Sequence, residues 1–270
     1  MDISDISKDK IKLIATDLDG TLLNNNKEIS KFNQEILKTL INDYKIELVL
    51  SSGRGFDGIK KYNDILCNSN YSIVTNGSNI IDSNGNILYR KRLEEDISKG
   101  IIKLAEKYDV CLHFFDDLKY IVSRDDFHIK SYIQIEKTRE ITVGIENIED
   151  YRFDKIIIFG NREILNKLKI DIDSNFDVNS CFSGETLLEV ICKDVSKGNA
   201  LKWICNKKGI DIKNTIAFGD NLNDIEMIEC AGIGVAMSNA EEELKRKADY
   251  ITFSNEEDGV GKFLSGIFSI

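Results

Sequence analysis

The chain contains no proline at all. Its turns must therefore come from Gly, Asn, Asp and Ser. Together with the many Ile, Asn and Lys residues, this reads as compositional bias of an AT-rich genome and carries no function. Histidine occurs only twice, at His113 and His128. Neither has a partner at metal-binding spacing, which argues against a histidine-built metal centre. The six cysteines, at 67, 111, 181, 192, 205 and 230, form no C-x-x-C pair and no Cys-His cluster of zinc spacing. They are expected to be free thiols of a reducing cytosol. No apolar run approaches the length of a membrane span. The segment Met1 to Lys10 is polar and charged, unlike a signal peptide, so a cytoplasmic protein is expected. A net charge of −10 argues against nucleic acid or an anionic membrane as partner. A small anionic substrate remains compatible with that charge if local positive groups outweigh the global field.

What is present is a soluble, globular composition, 42% apolar and 30% charged. Its 270 residues suffice for a sizeable core and two domains. The most informative stretch is Asp17-Leu18-Asp19-Gly20-Thr21, which follows the apolar run Ile11-Lys12-Leu13-Ile14-Ala15. That run reads as a buried strand. Alternation along a strand places residues i and i+2 on one side. Two carboxylates about 4 Å apart repel by roughly 4 kcal/mol at an effective dielectric of 20. A fold retains such a pair when a cation offsets the repulsion or one carboxyl carries a proton. Both conditions suit a nucleophilic carboxylate beside a general acid at a Mg²⁺ site. A capped turn would explain the same five residues if they stood alone.

The first 80 residues alternate strand and helix. Ser30 is placed to cap a helix with Phe32, Ile36, Leu37, Leu40 and Ile41 at helical spacing. Strands are expected at 46–50 and 71–75, with a helix around 56–67 between them. Strands joined through helices imply a parallel sheet with right-handed crossovers. The middle of the chain differs. Asn84-Gly85-Asn86 reads as a hairpin turn, and consecutive strand-like runs follow at 110–115, 120–123, 155–159, 176–182 and 186–192. They suggest an α+β insert with an antiparallel sheet over 84–191. The α/β pattern resumes at Ser196, which can cap a helix with Ala200, Leu201 and Ile204 inside and Gly209 after its end. A strand at 215–218 then leads to Gly219-Asp220, a helix runs to Cys230, and strands follow near 233–236 and 249–252.

Four short stretches converge if the parallel sheet is right, because ligands bind at the C-terminal ends of such strands. Besides Asp17 and Asp19, these are Ser52-Gly53-Arg54, Lys197, and Gly219-Asp220-Asn221-Leu222-Asn223-Asp224. A hydroxyl and a backbone N–H at Ser52 and Gly53 can hold phosphate oxygens. Lys197 opens a helix, where a cation is unfavourable. Placed there against that preference, it can neutralise a nucleophile and a transferring phosphoryl group. Asp220 leaves its strand where Mg²⁺ would sit, Asn223 can donate to a phosphate oxygen, and Asp224 can hold Lys197 from behind. A strand-end turn and an Asx-rich helix cap explain some of these residues singly, but not the set.

In this order, DLDGT, SGR, VSKG (Val195-Ser196-Lys197-Gly198) and GDNLND, the chain resembles the haloacid dehalogenase superfamily, specifically the Cof-type phosphatases of subclass IIB. Asn76-Gly77, Asn239-Ala240, Ala248-Asp249 and Asp258-Gly259-Val260 match softer signatures of that family. The resemblance spans about 11–264. It implies a Rossmann-like parallel-sheet core over 1–83 and 192–270, with an inserted α+β cap of C2B type over 84–191 that sets substrate specificity. It implies a Mg²⁺-dependent phosphatase of small phosphorylated metabolites, sugar phosphates foremost. Asp17 would attack phosphorus and form an aspartyl-phosphate, while Asp19 would protonate the leaving alkoxide and then activate water. Mg²⁺ would bind the Asp17 side chain, the Asp19 backbone carbonyl and the Asp220 side chain. Ser52, Gly53, Lys197 and Asn223, with the Leu18 backbone N–H, would hold the phosphate. Two departures stand out. Ser52 replaces a common Thr, which keeps the hydroxyl, and Gly55 replaces a common proline, which leaves the role of Arg54 open.

Two other readings compete. A phosphomutase of the same superfamily would use the same Asp pair but retain the phosphoryl group. A phospho-metabolite-binding protein would have lost catalysis. The insert carries no motif that names a substrate. Its cations Arg90, Lys91, Arg92, Arg124, Lys130, Arg139 and Lys155 are expected to be mostly solvated, with one or two touching substrate. A monomer or weak homodimer is expected.

Overall fold

The computed structural model describes residues 6–116, 119–124 and 140–270. The chain falls into two units. One comprises the chain up to Gly53, Ile59–Leu88 and Ser196–Ile270; the other comprises Arg54–Gly58 and Tyr89–Val195. In chain order the elements begin with β1 (Leu13–Asp17), α1 (Lys31–Asn42), β2 (Glu47–Ser51), α2 (Phe56–Leu66), β3 (Ser72–Val74), β4 (Asn79–Ile81) and β5 (Ile87–Arg90). There follow α3 (Glu95–Ala105), β6 (Cys111–Asp116), β7 (Lys119–Val122), β8 (Glu140–Val143), β9 (Lys155–Phe159), α4 (Arg162–Asn175), β10 (Val178–Gly184) and β11 (Leu187–Cys192). The chain closes with α5 (Lys197–Lys208), β12 (Thr215–Gly219), α6 (Ile225–Cys230), β13 (Ile233–Ala236), α7 (Glu242–Lys247), β14 (Tyr250–Ile251) and α8 (Gly259–Phe268).

The first sheet runs β14-β13-β12-β1-β2-β3-β4-β5. β1 lies at its centre, parallel to both β2 and β12. Every residue of β1 is buried, as a strand covered on both faces requires, and this explains its unbroken apolar start. β2 and β3 are also parallel, so β1, β2, β3 and β12 all end at the same edge. The helix caps follow local chemistry. The Ser30 hydroxyl accepts from Asn33 N at 3.0 Å and starts α1. The Ser196 hydroxyl accepts from Asn199 N at 3.1 Å and starts α5, which Gly209 ends in the left-handed region at φ 68°. Ile36, Leu37 and Leu40 are buried on α1, whereas Phe32 stands partly exposed at its first turn.

Sequence placed the start of the insert at 84; the division instead falls inside β5, after Leu88. β4 pairs antiparallel with β3, and β5 extends the same sheet. The hairpin stays with the first unit because buried Ile80 and Ile81 belong to its core. At the far end the division comes after Val195 rather than at 191.

The second sheet runs β10-β11-β9-β6-β7-β8. It is antiparallel except for the parallel pair β7–β8. Alternation sorts its two faces. Leu112 and Phe114 of β6, Ile156 and Ile158 of β9, and Leu188 and Val190 of β11 pack with Ile101, Ile102 and Ala105 of α3 and Leu165, Leu168 and Ile172 of α4. The opposite face carries Cys111, Phe115, Tyr120, Val122, Ile157 and Phe159. The sequence suggests a short helix near 162–169, whereas α4 runs on to Asn175, and β8 was not legible in the sequence. Among the described residues no helix is long and apolar enough to cross a membrane.

Candidate active site

Asp17 is the last residue of β1 and is 6% exposed. Lys197, the first residue of α5, is 1% exposed. Its ammonium lies 2.6 Å from Asp17 Oδ1 and 2.6 Å from Asp224 Oδ1. Asp224 is fully buried. Its Oδ2 accepts from the backbone N–H of Asp220 at 3.0 Å and of Asn221 at 3.1 Å. Both Asp224 oxygens are therefore committed to holding Lys197 and the turn after β12. Asp220 completes the cluster. Asp17, Asp220 and Asp224 each offer a carboxylate oxygen, and these atoms lie within 4.8 Å of one another.

Three carboxylates thus share one buried ammonium. Burial pulls the Lys197 ammonium towards neutrality, but Asp17 and Asp224 outweigh it and hold the ammonium well above the ordinary range. The remaining negative charge is not compensated. Burial first, with Asp224 and Asp220 adding to it against Lys197, raises the Asp17 carboxyl well above the usual range. Burial and Asp224 likewise push Asp220 up to about 6. A cation beside carboxyls raised in this way would favour their charged form. Hard oxygen donors of this kind suit Mg²⁺ or a similar divalent ion. Both Asp224 oxygens are engaged, whereas Lys197 and Thr21 each engage one oxygen, Oδ1, of Asp17 and Asp220, so these two side chains could hold one.

Neighbouring atoms keep Asp220 in place. Thr21 Oγ1 donates to Asp220 Oδ1 at 2.7 Å. Gly20 takes φ +80°, and a Cβ there would lie 2.3 Å from Asp220 Oδ2, so only glycine permits this approach. Asn239 Nδ2 donates to the Gly20 carbonyl at 2.8 Å, and Asn239 Oδ1 accepts from Asn255 N at 3.1 Å. Sequence reasoning did not assign Thr21 or Asn239. Thr21 stood inside the first motif and Asn239 inside a softer signature, so position was the available signal.

Asp19 behaves differently from the strand argument. β1 ends at Asp17, so alternation no longer governs Asp19. Its Oδ1 pairs with Lys27 Nζ at 2.8 Å, with both side chains substantially exposed. The carboxylates that press on Asp17 are those of Asp224 and Asp220. An exposed pair of this kind contributes only about 0–1 kcal/mol, so Asp19 can leave Lys27 at little cost.

Ser52 and Gly53 follow β2 beside β3. Ser52 is buried, and its N–H donates to the Ile73 carbonyl at 2.9 Å. Asn223 sits in the turn after β12, where Nδ2 donates to Asn76 Oδ1 at 3.0 Å. Leu18 is buried directly after Asp17. Arg54 is buried and donates to the Gly58 carbonyl at 3.4 Å, inside its own loop.

In the second unit, many cations have acidic partners. Arg90 pairs with Asp154 and Asp116, Arg92 with Asp116 and Asp150, Lys91 with Asp194, and Arg124 with Asp109. Lys155 is buried, over the Phe115 ring and 4.0 Å from Glu189. His113 is buried and bonded through Nδ1 to the Tyr120 hydroxyl. His128, Lys130 and Arg139 lie outside the described residues. None of the six cysteines is in a disulfide.

Residues 14–264 match the family model of haloacid dehalogenase-like hydrolases. The chain belongs to that family. It is 35% identical over 256 residues to the 5-amino-6-(5-phospho-D-ribitylamino)uracil phosphatase YcsE of Bacillus subtilis, covering 93% of this chain and 94% of that protein. A putative phosphatase of Buchnera aphidicola is 32% identical, covering 95% and 96%. The crystal structure of a haloacid dehalogenase-like hydrolase from Bacteroides thetaiotaomicron superposes with a TM-score of 0.82 at 30% identity, over 96% of this chain and all of that one. The fold is therefore the haloacid dehalogenase α/β core with an inserted cap of the subclass IIB kind. The chain is a Cof-type phosphatase, a phosphoric monoester hydrolase acting on phosphorylated small molecules. Hydrolases of this family use a divalent metal, and the aspartate cluster offers a place for one.

Proposed function

We propose that this protein hydrolyses small phosphorylated metabolites, sugar phosphates foremost, with Asp17 as nucleophile and Mg²⁺ as its cation. The observation that carries this reading is the buried Lys197 ammonium, held 2.6 Å from both Asp17 and Asp224 in a cluster of three carboxylates. When bound, Mg²⁺ would supply positive charge that keeps Asp17 ionised and offsets the charge of the phosphoryl oxygens. The protein does the rest. Asp17 attacks phosphorus, a phosphorus–oxygen bond forms on its carboxylate, and the ester oxygen departs. Asp19, released from Lys27 and entering the step protonated, gives that oxygen its proton and then, as a carboxylate, takes one from the water that cleaves the aspartyl-phosphate. Lys197, Ser52, Gly53, Asn223 and the Leu18 N–H bind the phosphate oxygens. Asp17, Asp220 and the Asp19 carbonyl would hold the metal. Asp224 keeps Lys197 charged and aimed.

The phosphate is common to every candidate ester, so discrimination is assigned to the cap formed by Tyr89–Val195. A relative whose name specifies a phosphorylated ribityl chain supports a phosphate carried on a polyol or sugar. The test is phosphate release from a panel of sugar phosphates, pyridoxal phosphate and flavin mononucleotide, with Mg²⁺ and with EDTA. Release is expected only with metal, and greatest for sugar or polyol esters. Isomerised ester without free phosphate would identify a phosphomutase. Binding without turnover would identify a non-catalytic protein.

A further inference from the structure

Thr75, Asn76 and Gly77 occupy the left-handed region in succession, at φ 54°, 57° and 100°. Such a φ is uncommon for any side-chain-bearing residue and an outlier for β-branched Thr75. Backbone held in this way persists only where the surroundings over-determine it, and it clusters at working sites. Here the contacts that hold it are visible. Asn76 is 3% exposed, and its N–H donates to the Ser52 carbonyl at 3.0 Å. A Cβ at position 53 would lie 3.0 Å from Asn76 Oδ1, and one at position 77 would lie 2.4 Å from the Ser196 carbonyl oxygen. The turn after β3 is thus pressed between the loop after β2 and the start of α5.

Asn76 Oδ1 accepts from Asn223 Nδ2 at 3.0 Å. The other amide atom of Asn223, Oδ1, is buried and has no hydrogen-bond partner. The bond to Asn76 therefore sets the direction of that amide. An Asn side chain presents donors from one end and acceptors from the other, and rotation by half a turn exchanges them. With Asn76 in place, Nδ2 is held with one N–H on Asn76 and a second left to give. Without it, the amide can turn and set its oxygen against an anion.

We infer that Asn76 is a positioning residue: its side-chain oxygen fixes the donor orientation of Asn223, and its strained turn ties that orientation to the Ser52-Gly53 loop. This deepens the phosphatase reading and rests on Asn223 as a phosphate donor. Asn76 itself need not touch the phosphate. Its effect must pass through Asn223, which distinguishes it from a residue that only stabilises the fold.

The experiment is a double-mutant cycle on Asn76→Gly and Asn223→Ala, read by calorimetric binding of inorganic phosphate with excess Mg²⁺ and by KM for a hydrolysed ester. Glycine keeps the positive φ and removes only the amide. Each single variant is expected to weaken phosphate binding by about tenfold, as loss of one hydrogen bond to a charged group does. The double variant is expected to be no weaker than Asn223→Ala alone. Additive losses, or no loss in Asn76→Gly, would overturn the inference. If Asn76→Gly does not fold, Asn76→Asp retains an oxygen acceptor and tolerates the left-handed backbone. In that background Asn223→Ala should still cost about tenfold, and disappearance of that cost would also overturn the inference. Wild-type protein that binds phosphate but releases none from esters would defeat the phosphatase reading, whereas an active wild type with an additive cycle defeats this inference alone.

Discussion

The ammonium of Lys197 stands 2.6 Å from the Asp17 carboxylate, and both residues are buried. A buried ion pair is weak evidence of net stability, but removing one partner leaves an uncompensated buried charge. Lys197→Met should leave Asp17 and Asp224 facing each other. The expected loss is about 3–5 kcal/mol, read as a lower melting temperature with EDTA present. Mg²⁺ should restore part of it. An unchanged melting temperature would show that Lys197 does not hold the cluster together.

Metal and pH should be linked through Asp220. Its carboxyl is pushed up to about 6 by burial and by Asp224, and Asp17 is raised in the same direction. A raised carboxyl binds its proton more tightly when folded than the unfolded chain does, whose aspartates titrate near 3.9. This contribution favours the folded state fully below about pH 4 and is lost as pH rises through about 6. In EDTA the aspartate contribution to stability should therefore fall over that window. Mg²⁺ must displace the proton, so its stabilising increment should grow from about pH 5 to above pH 7. Melting curves with and without Mg²⁺ check this, and Asp220→Asn should remove the share of the pH dependence that Asp220 contributes.

Gly20 and Gly209 separate strain from crowding. Both have positive φ, but a Cβ at Gly20 meets Asp220 Oδ2 at 2.3 Å while one at Gly209 meets nothing within 4 Å. Each Gly→Ala change should cost roughly 1–3 kcal/mol of backbone strain. Gly20→Ala should in addition weaken Mg²⁺ binding at least tenfold. Equal Mg²⁺ affinity in the two variants, measured by calorimetry, would remove Asp220 from the metal site.

Asp17→Asn and Asp19→Asn should fail differently. The first removes the nucleophile, so acid quench should trap no phosphoryl-enzyme. The second keeps the backbone carbonyl and loses proton transfer, typically worth 10²–10⁴-fold. Its loss should be smallest for p-nitrophenyl phosphate, whose leaving group needs little protonation, and the aspartyl-phosphate should accumulate. Wild-type turnover of a sugar phosphate by Asp19→Asn would falsify the acid–base role.

Much of this was readable in order along the chain. The alternation of strand and helix over the first 80 residues, the caps at Ser30 and Ser196, and the stop at Gly209 all follow from local chemistry, and all are present. The contact between Lys197 and Asp224 was legible because a cation opening a helix needs an anion nearby. The Asp17–Asp19 argument carried less far. It assumed that the strand continues past Asp17, whereas β1 stops there and Asp19 turns to Lys27. β8 and the true end of α4 escaped because strand and helix ends depend on what packs against them.

By itself the sequence determined which residues exist to do chemistry, the order of the elements that carry them, and the family to which the chain belongs. These follow from residue type and short-range spacing. Tertiary structure alone decided that Asp17 is pressed by Asp220 and Asp224, that Asn76 orients Asn223, and that Thr21 and Gly20 frame Asp220. Those relations join residues far apart in the chain, 147 positions for Asn76–Asn223 and 199 for Thr21–Asp220. They arise only when parallel strands bring their C-terminal ends to one edge, where burial turns carboxylates that water would screen into a charge cluster that needs a cation.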